Sequence, residues 1–149
     1  MSEAMIYSLS YVRSHIPLLQ DGLNGAKPVK GFCDGKSDFH IYGPLNWEQW
    51  DLVFLAAAAA VASVSLAFRK PPIPTAGIVG LLDSAGVLLS ISGLNTEFVQ
   101  LAVKQGLKSL VVGQGTDVDS ETRGKAEELG LRIYVVKNLL EALPLLFPL

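Results

Sequence analysis

Four carboxylates, Asp117, Asp119, Glu121 and Glu128, match positions of a calcium-binding loop, where alternating acidic residues wrap a hard cation. Thr122 stands where such a loop needs a glycine to turn. The group therefore reads as the acidic start of a solvated helix, where carboxylates favour the N-terminal dipole. Just upstream, Gly113, Gln114 and Gly115, followed by Thr116, resemble a backbone cradle for phosphate. Gly124 and Lys125 are followed by Ala126, and the upstream glycine of a P-loop is missing, so a strand-to-helix turn is the expectation. His15 and His40 stand alone. Cys33 is the single cysteine, which excludes an internal disulfide and supplies no Cys/His metal spacing; it reads as a small buried apolar group. No metal or cofactor is implied.

Two further groups are defined by spacing. Trp47, Trp50 and Phe54 fall at i, i+3 and i+7, which places them on one side of a helix start. Core packing is the plain reading, and a contact surface for another subunit is the sharper one. Lys27, Lys30, Lys36, Arg69 and Lys70 form a basic face if the fold gathers them, and are otherwise ordinary solubilising charges.

The elements that would position these groups follow from periodicity and breakers. Ile6, Leu9, Val12 and Ile16 suggest a helix between Glu3 and Leu19, interrupted by Pro17. A short strand at Val29 to Cys33, a turn at Asp34 and Gly35, and a returning strand at Phe39 to Tyr42 come next. Asn46 with Gln49 resembles a capping box opening a long helix to Leu66, whose alanine-rich middle lets neighbouring backbones approach closely. Pro71, Pro72 and Pro74 force an extended connection.

Ile78–Leu82 and Val87–Ile91 read as a hairpin around the turn Asp83-Ser84-Ala85-Gly86. The chain then alternates: a helix from Thr96 to Gln105 with Phe98, Leu101, Ala102 and Gln105 on one face and Gly106 as its stop, a strand at Leu110–Val112, a helix at Ser120–Leu129 ended by Gly130, a strand at Arg132–Val136, and a short helix capped by Asn138 with Glu141. Such alternation argues for an α/β class with helices packed on a sheet.

At 149 residues the chain suits one compact domain, able to bury roughly 70% of the surface its unfolded form exposes. Residues 1–30 are read as an N-terminal segment of uncertain structure and residues 31–149 as the domain proper. Twelve Lys and Arg against fourteen Asp and Glu leave a net charge of −2, so no global field favours nucleic acid. The N-terminus shows no basic leader with an apolar core, which points to the cytoplasm. The uncharged run from Leu52 to Phe68 carries Ser63 and Ser65, is rich in alanine and falls short of the roughly 20 strongly apolar residues of a span, so a buried helix is expected and no membrane.

The stretch Gly80 to Leu94, GLLDSAGVLLSISGL, resembles the signature of the Lon protease proteolytic domain, in which Gly-Glu-Ile, a turn glycine, Val-Leu-Pro-Ile and Gly-Gly-Leu follow at matching intervals. Pro71 and Pro74 fall where that family places prolines. Leu101–Val112 is similar to its helix, glycine and strand passage with one inserted residue, and Leu131–Val136 with Leu139, Leu140 and Leu143 to its closing strand and helix. The likeness runs from about Asp38 to Leu146 and implies an α+β two-layer fold of the ribosomal protein S5 domain 2-like kind. Asp51 to Ala59 and the pair Ile91-Ser92 also resemble the C-terminal Lon-like domain of the DNA-repair protein RadA, also called Sms.

A Ser/Lys peptidase needs a hydroxyl and a lysine held neutral by burial, both projecting into one partly desolvated site. Ungapped counting from Gly80 puts Phe54 at the family's nucleophile; the two other registers put Gln49 or Leu45 there. The family's lysine falls on Glu97, or on Phe98 if the insertion sits earlier. A relocated pair would have to draw on Ser63, Ser65, Ser84, Ser90 or Ser92 with Lys70 or Lys104; turn, strand-end and helix-backbone roles are the plainer reading of those serines. The sequence thus leads to a pseudo-protease rather than an enzyme: an assembly or binding module, self-associating as the resemblance implies, with Trp47, Trp50, Phe54 and Phe98 filling the lost site or forming an interface. The RadA likeness implies DNA-repair work beside a RecA-like ATPase, in which nucleic acid would be a partner. No ATPase motif is present in this chain.

Overall fold

A computed structural model describes residues 3–29, 56–90 and 94–148. The chain opens with two helices, α1 (Glu3–Ser14) and α2 (Ile16–Gly22). The single helix expected there is split at His15, because Pro17 lacks the N–H that would continue α1 and fits instead at the first turn of α2. The strands expected at 29–33 and 39–42 and the first half of the long helix lie outside the described residues, apart from Val29, which belongs to no regular element.

The second half of that helix is α3 (Ala56–Phe68). Ala57, Ala60, Val61, Val64, Ala67 and Phe68 all face a core shared with Tyr11 and Val12 of α1. Alanine at these positions leaves no long side chains between the helices, so α1 packs along α3.

A three-stranded parallel sheet follows, in the order β1 (Ala76–Ile78), β4 (Ser109–Gly113), β5 (Arg132–Val136). Ala76 pairs with Ser109, and Ser109 with Arg132. β2 (Leu81–Leu82) and β3 (Leu88–Leu89) form a separate antiparallel hairpin. The apolar run from Ile78 to Leu82 is therefore two strands rather than one: its start joins the parallel sheet, and after Gly80 it turns into the hairpin. The hairpin turn is as the sequence suggests, with Asp83 Oδ1 accepting from the backbone N–H groups of Ala85 and Val87, each at 2.9 Å. Gly86 closes it at φ +80, with the Tyr11 ring packed so closely against its Cα that a side chain has no room.

The remaining helices are α4 (Thr96–Lys104), α5 (Ser120–Leu129) and α6 (Leu139–Leu146). Each begins on a side-chain cap: Asn95 accepts from Phe98 N at 2.9 Å, Asp119 from Thr122 N at 2.7 Å, and Asn138 from Glu141 N at 3.0 Å. The Glu141 carboxylate reaches back to the Lys137 N–H at 2.7 Å, a variant of the capping box expected there.

Strand alternation divides the core. Val111 and Val136 point into a cluster with α1, α2, α3 and α6, whereas Leu110 and Val112 point into a second one with α4 and α5. The α/β class holds, with helices covering both faces of the sheet. One helix face departs from expectation: α4 buries Val99 and Ala102, while Leu101 is 54% exposed and Gln105 is exposed. The 99/102 pair joins the cluster that holds Leu110 and Val112 of β4, and Leu101 is rotated away from it by the helical period. Among the described residues no helix is long and apolar enough to cross a membrane.

Candidate functional site

The Lon-like signature folds as β2, the Asp83–Gly86 turn and β3, and the structure docks this hairpin onto the carboxyl ends of the parallel strands. Leu88 N–H donates to the Lys137 carbonyl at 3.0 Å and Leu139 N–H to the Gly86 carbonyl at 2.9 Å. β3 also crosses β4 at Gly113, where an added Cβ would lie 2.6 Å from the Leu89 carbonyl oxygen. The Gly113-Gln114-Gly115 segment therefore has a structural duty. Its space is occupied by the backbone of residues 88 and 89 and by the Ser90 side chain beside Gly115. Thr116 N–H closes back onto the Gly113 carbonyl at 3.1 Å, the turn chemistry expected between a strand and α5.

The residues assigned to the catalytic pair separate into described and undescribed. Phe54, Trp47, Trp50, Gln49, Leu45 and Ser92 lie outside the described residues, as do Lys30, Lys36, Cys33 and His40. Glu97 sits in the first turn of α4, exposed, where its charge complements the helix dipole. Phe98, one residue on, is half-buried and packs against the cluster of Val99, Ala102 and Leu110. It serves as core at that point.

The relocated candidates are dispersed. Ser63 is buried within α3 at 5% exposure. The Ser65 hydroxyl donates to the Lys70 main-chain carbonyl at 2.7 Å, a helix-ending contact that leaves the Lys70 amine uninvolved. Ser84 is exposed in the hairpin turn, Ser90 is exposed at the end of β3, and Lys104 is exposed in the last turn of α4. Among the described residues no hydrogen bond joins a serine hydroxyl to a lysine amine.

Of the basic group, Lys27, Arg69 and Lys70 lie among the described residues, the latter two directly after α3. Val29 N–H donates to the Ala67 carbonyl, which brings the segment carrying Lys27 alongside the helix end that continues into Arg69 and Lys70. Arg69 adopts φ +50, the left-handed conformation of a helix C-terminal cap, and Lys70 N–H closes onto the Ser65 carbonyl at 3.1 Å.

The acidic run resolves into a cap. Hydrogen bonds from the Thr122 backbone N–H and then from its hydroxyl hold the Asp119 carboxyl below the usual range. His15 is stacked on Tyr11 with ring centroids 4.2 Å apart, and its Nδ1 lies 2.8 Å from the Tyr11 carbonyl. Burial, and then the nearby Asp83 charge, raise the Tyr11 phenol above its ordinary pKa.

One feature was not legible in the sequence. A groove of about 310 Å³ runs between α5 and β5, with Arg123 and Arg132 on its rim. In the sequence both arginines belong to polar, solvent-facing patterns; only the position of β5 at the sheet's edge sets them around a concavity.

The chain is 28% identical over 112 residues to Lon protease 1 of Borreliella burgdorferi, covering 75% of this chain and 14% of that protein. It is 25% identical over 145 residues to Lon protease of Trichlorobacter lovleyi, covering 97% of this chain and 17% of the relative. No family model matches. The chain thus spans about one-sixth of the length of these relatives, and both likenesses support a Lon-like domain. The second alignment takes in nearly the whole chain, including the α1–α2 region that shares the α3 core.

Proposed function

We propose that this chain is a Lon-like domain without peptidase chemistry, acting as a binding and assembly module that self-associates. The reading is supported by counting along the Lon-like signature: ungapped from Gly80 it puts Phe54 at the family's hydroxyl nucleophile, with Gln49 or Leu45 in the other registers, and Glu97 or Phe98 at its lysine base. Phenylalanine has no proton to surrender, and an exposed carboxylate at a helix start does not reproduce a desolvated amine. The use of the Ser65 hydroxyl on a main-chain carbonyl supports the same reading, because it leaves that serine committed to ending a helix. Purified protein incubated with casein is expected to leave it intact, and light scattering after gel filtration is expected to give a mass above that of one chain. Trp47→Ala is expected to lower that mass. Casein cleavage that one serine variant abolishes would establish a relocated Ser/Lys pair instead, and a monomer at all concentrations would remove the self-association.

A second reading, a DNA-repair accessory working beside a RecA-like ATPase, draws on the alanine-rich α3 and on the cations Lys27, Arg69 and Lys70 near its end. It expects DNA binding that weakens steeply as salt rises. Absence of binding at low ionic strength would end it.

A further inference from the structure

The groove between α5 and β5 has the parts of a peptide-binding edge. Within the parallel ladder Arg132 N–H donates to the Lys108 carbonyl at 3.0 Å and the Val136 carbonyl accepts from Gln114 N–H at 2.8 Å. Arg132, Tyr134 and Val136 thus turn their backbone groups toward β4, and strand alternation turns those of Ile133 and Val135 outward. Among the described residues β5 is the last strand of the sheet. Val135 is 46% exposed, on a sheet that buries its other valines.

Charge makes the surface selective. Leu131 and Ile133 contribute the apolar lining of the groove, and Arg123 and Arg132 rim it with Glu127. Among the described residues neither Arg123 nor Arg132 forms an ion pair. Two cations and one carboxylate, Glu127, leave the rim net positive on a chain whose net charge is −2. The volume is at the lower end of the range for ligand sites, enough for side chains of an extended segment rather than a bulky cofactor.

We propose that this edge binds an extended acidic peptide segment of a partner protein, which adds a strand beside β5 and sets its carboxylates against Arg123 and Arg132. Main-chain hydrogen bonds to Ile133 and Val135 supply sequence-tolerant affinity, and the cations select against basic segments. The inference does not depend on self-association or on the absence of peptidase activity.

The test uses the full chain and fluorescence anisotropy with three labelled peptides: one alternating glutamate and valine, one alternating lysine and valine, and the acidic peptide N-methylated at alternate amides. The acidic peptide is expected to bind about tenfold or more tightly than the basic one, and Arg123→Glu with Arg132→Glu is expected to erase that preference while helical circular dichroism is retained. Loss of binding on N-methylation identifies strand addition. A preference of less than about threefold between the acidic and basic peptides overturns the proposal, and so does undiminished binding of the N-methylated peptide. Both comparisons use the unaltered protein, so a variant that misfolds does not blunt them. If no peptide binds and the arginine variants instead reduce the mass in sedimentation, the occupant is a second copy of this chain and the acidic-partner assignment fails.

Discussion

Arg69 shows how much a single backbone position carries. A residue with a Cβ in the left-handed region costs roughly 1–2 kcal/mol, and helix ends usually place glycine there. Here the Lys70 N–H to Ser65 carbonyl bond and the Ser65 hydroxyl to Lys70 carbonyl bond hold the turn despite that cost. Arg69→Gly is expected to raise stability by about 0.5–1 kcal/mol in urea unfolding, the relief being partly offset by the freer unfolded chain. Asp119 gives a pH-dependent counterpart. Its folded pKa is depressed by the Thr122 hydrogen bonds, so its contribution is present above the unfolded carboxylate value of about 3.9 and is lost as pH falls through the lower folded value. Asp119→Asn keeps a capping oxygen without the charge. Urea titrations are expected to find that the variant falls behind the parent at neutral pH and that the gap closes as the medium is acidified below that value.

At the level of the element, α4 separates what its composition suggests from what its neighbours select. Phe98, Leu101, Ala102 and Gln105 form a coherent helical stripe in the sequence, but Val99 and Ala102 are the positions buried in the cluster beside the sheet. Leu101→Lys is expected to change stability by less than about 0.5 kcal/mol, whereas Val99→Ala, at a fully buried site, is expected to cost roughly 1–3 kcal/mol by cavity formation. Chemical denaturation of the two variants side by side checks this, and equal losses would mean that the helix is rotated from the face seen here. The hairpin carries the related lesson. Ile78 to Leu82 is uniform in hydrophobicity, so nothing in its pattern marks the change of sheet at Gly80; the separation comes from β1 pairing with β4 while β2 pairs with β3.

For the molecule as a whole, the first helices are part of the same packing unit as the Lon-like signature. Leu19 and Leu23 of the N-terminal region are fully buried with Val64, Leu139 and Leu143, and the Tyr11 ring rests on the hairpin turn at Gly86. Leu19→Ala is expected to cost about 2–5 kcal/mol and to shift one transition, seen at the same midpoint by circular dichroism and tryptophan fluorescence. Two separated transitions would show that residues 3–23 melt independently of the sheet.

The sequence alone determined the alternation of helices and strands after Asn95, the Asn138 cap, the acidic start of α5, the turn at Asp83–Gly86 and the Lon-like signature, because each depends on neighbours a few positions away. Only the tertiary structure decided that α1 and α2 close the α3 core, that Leu101 faces out, that Gly113 yields to the backbone of β3, and that Arg123 and Arg132 flank one groove. Those outcomes rest on which surfaces meet across long stretches of chain, and local periodicity carries no record of which strand will stand at the edge of a sheet.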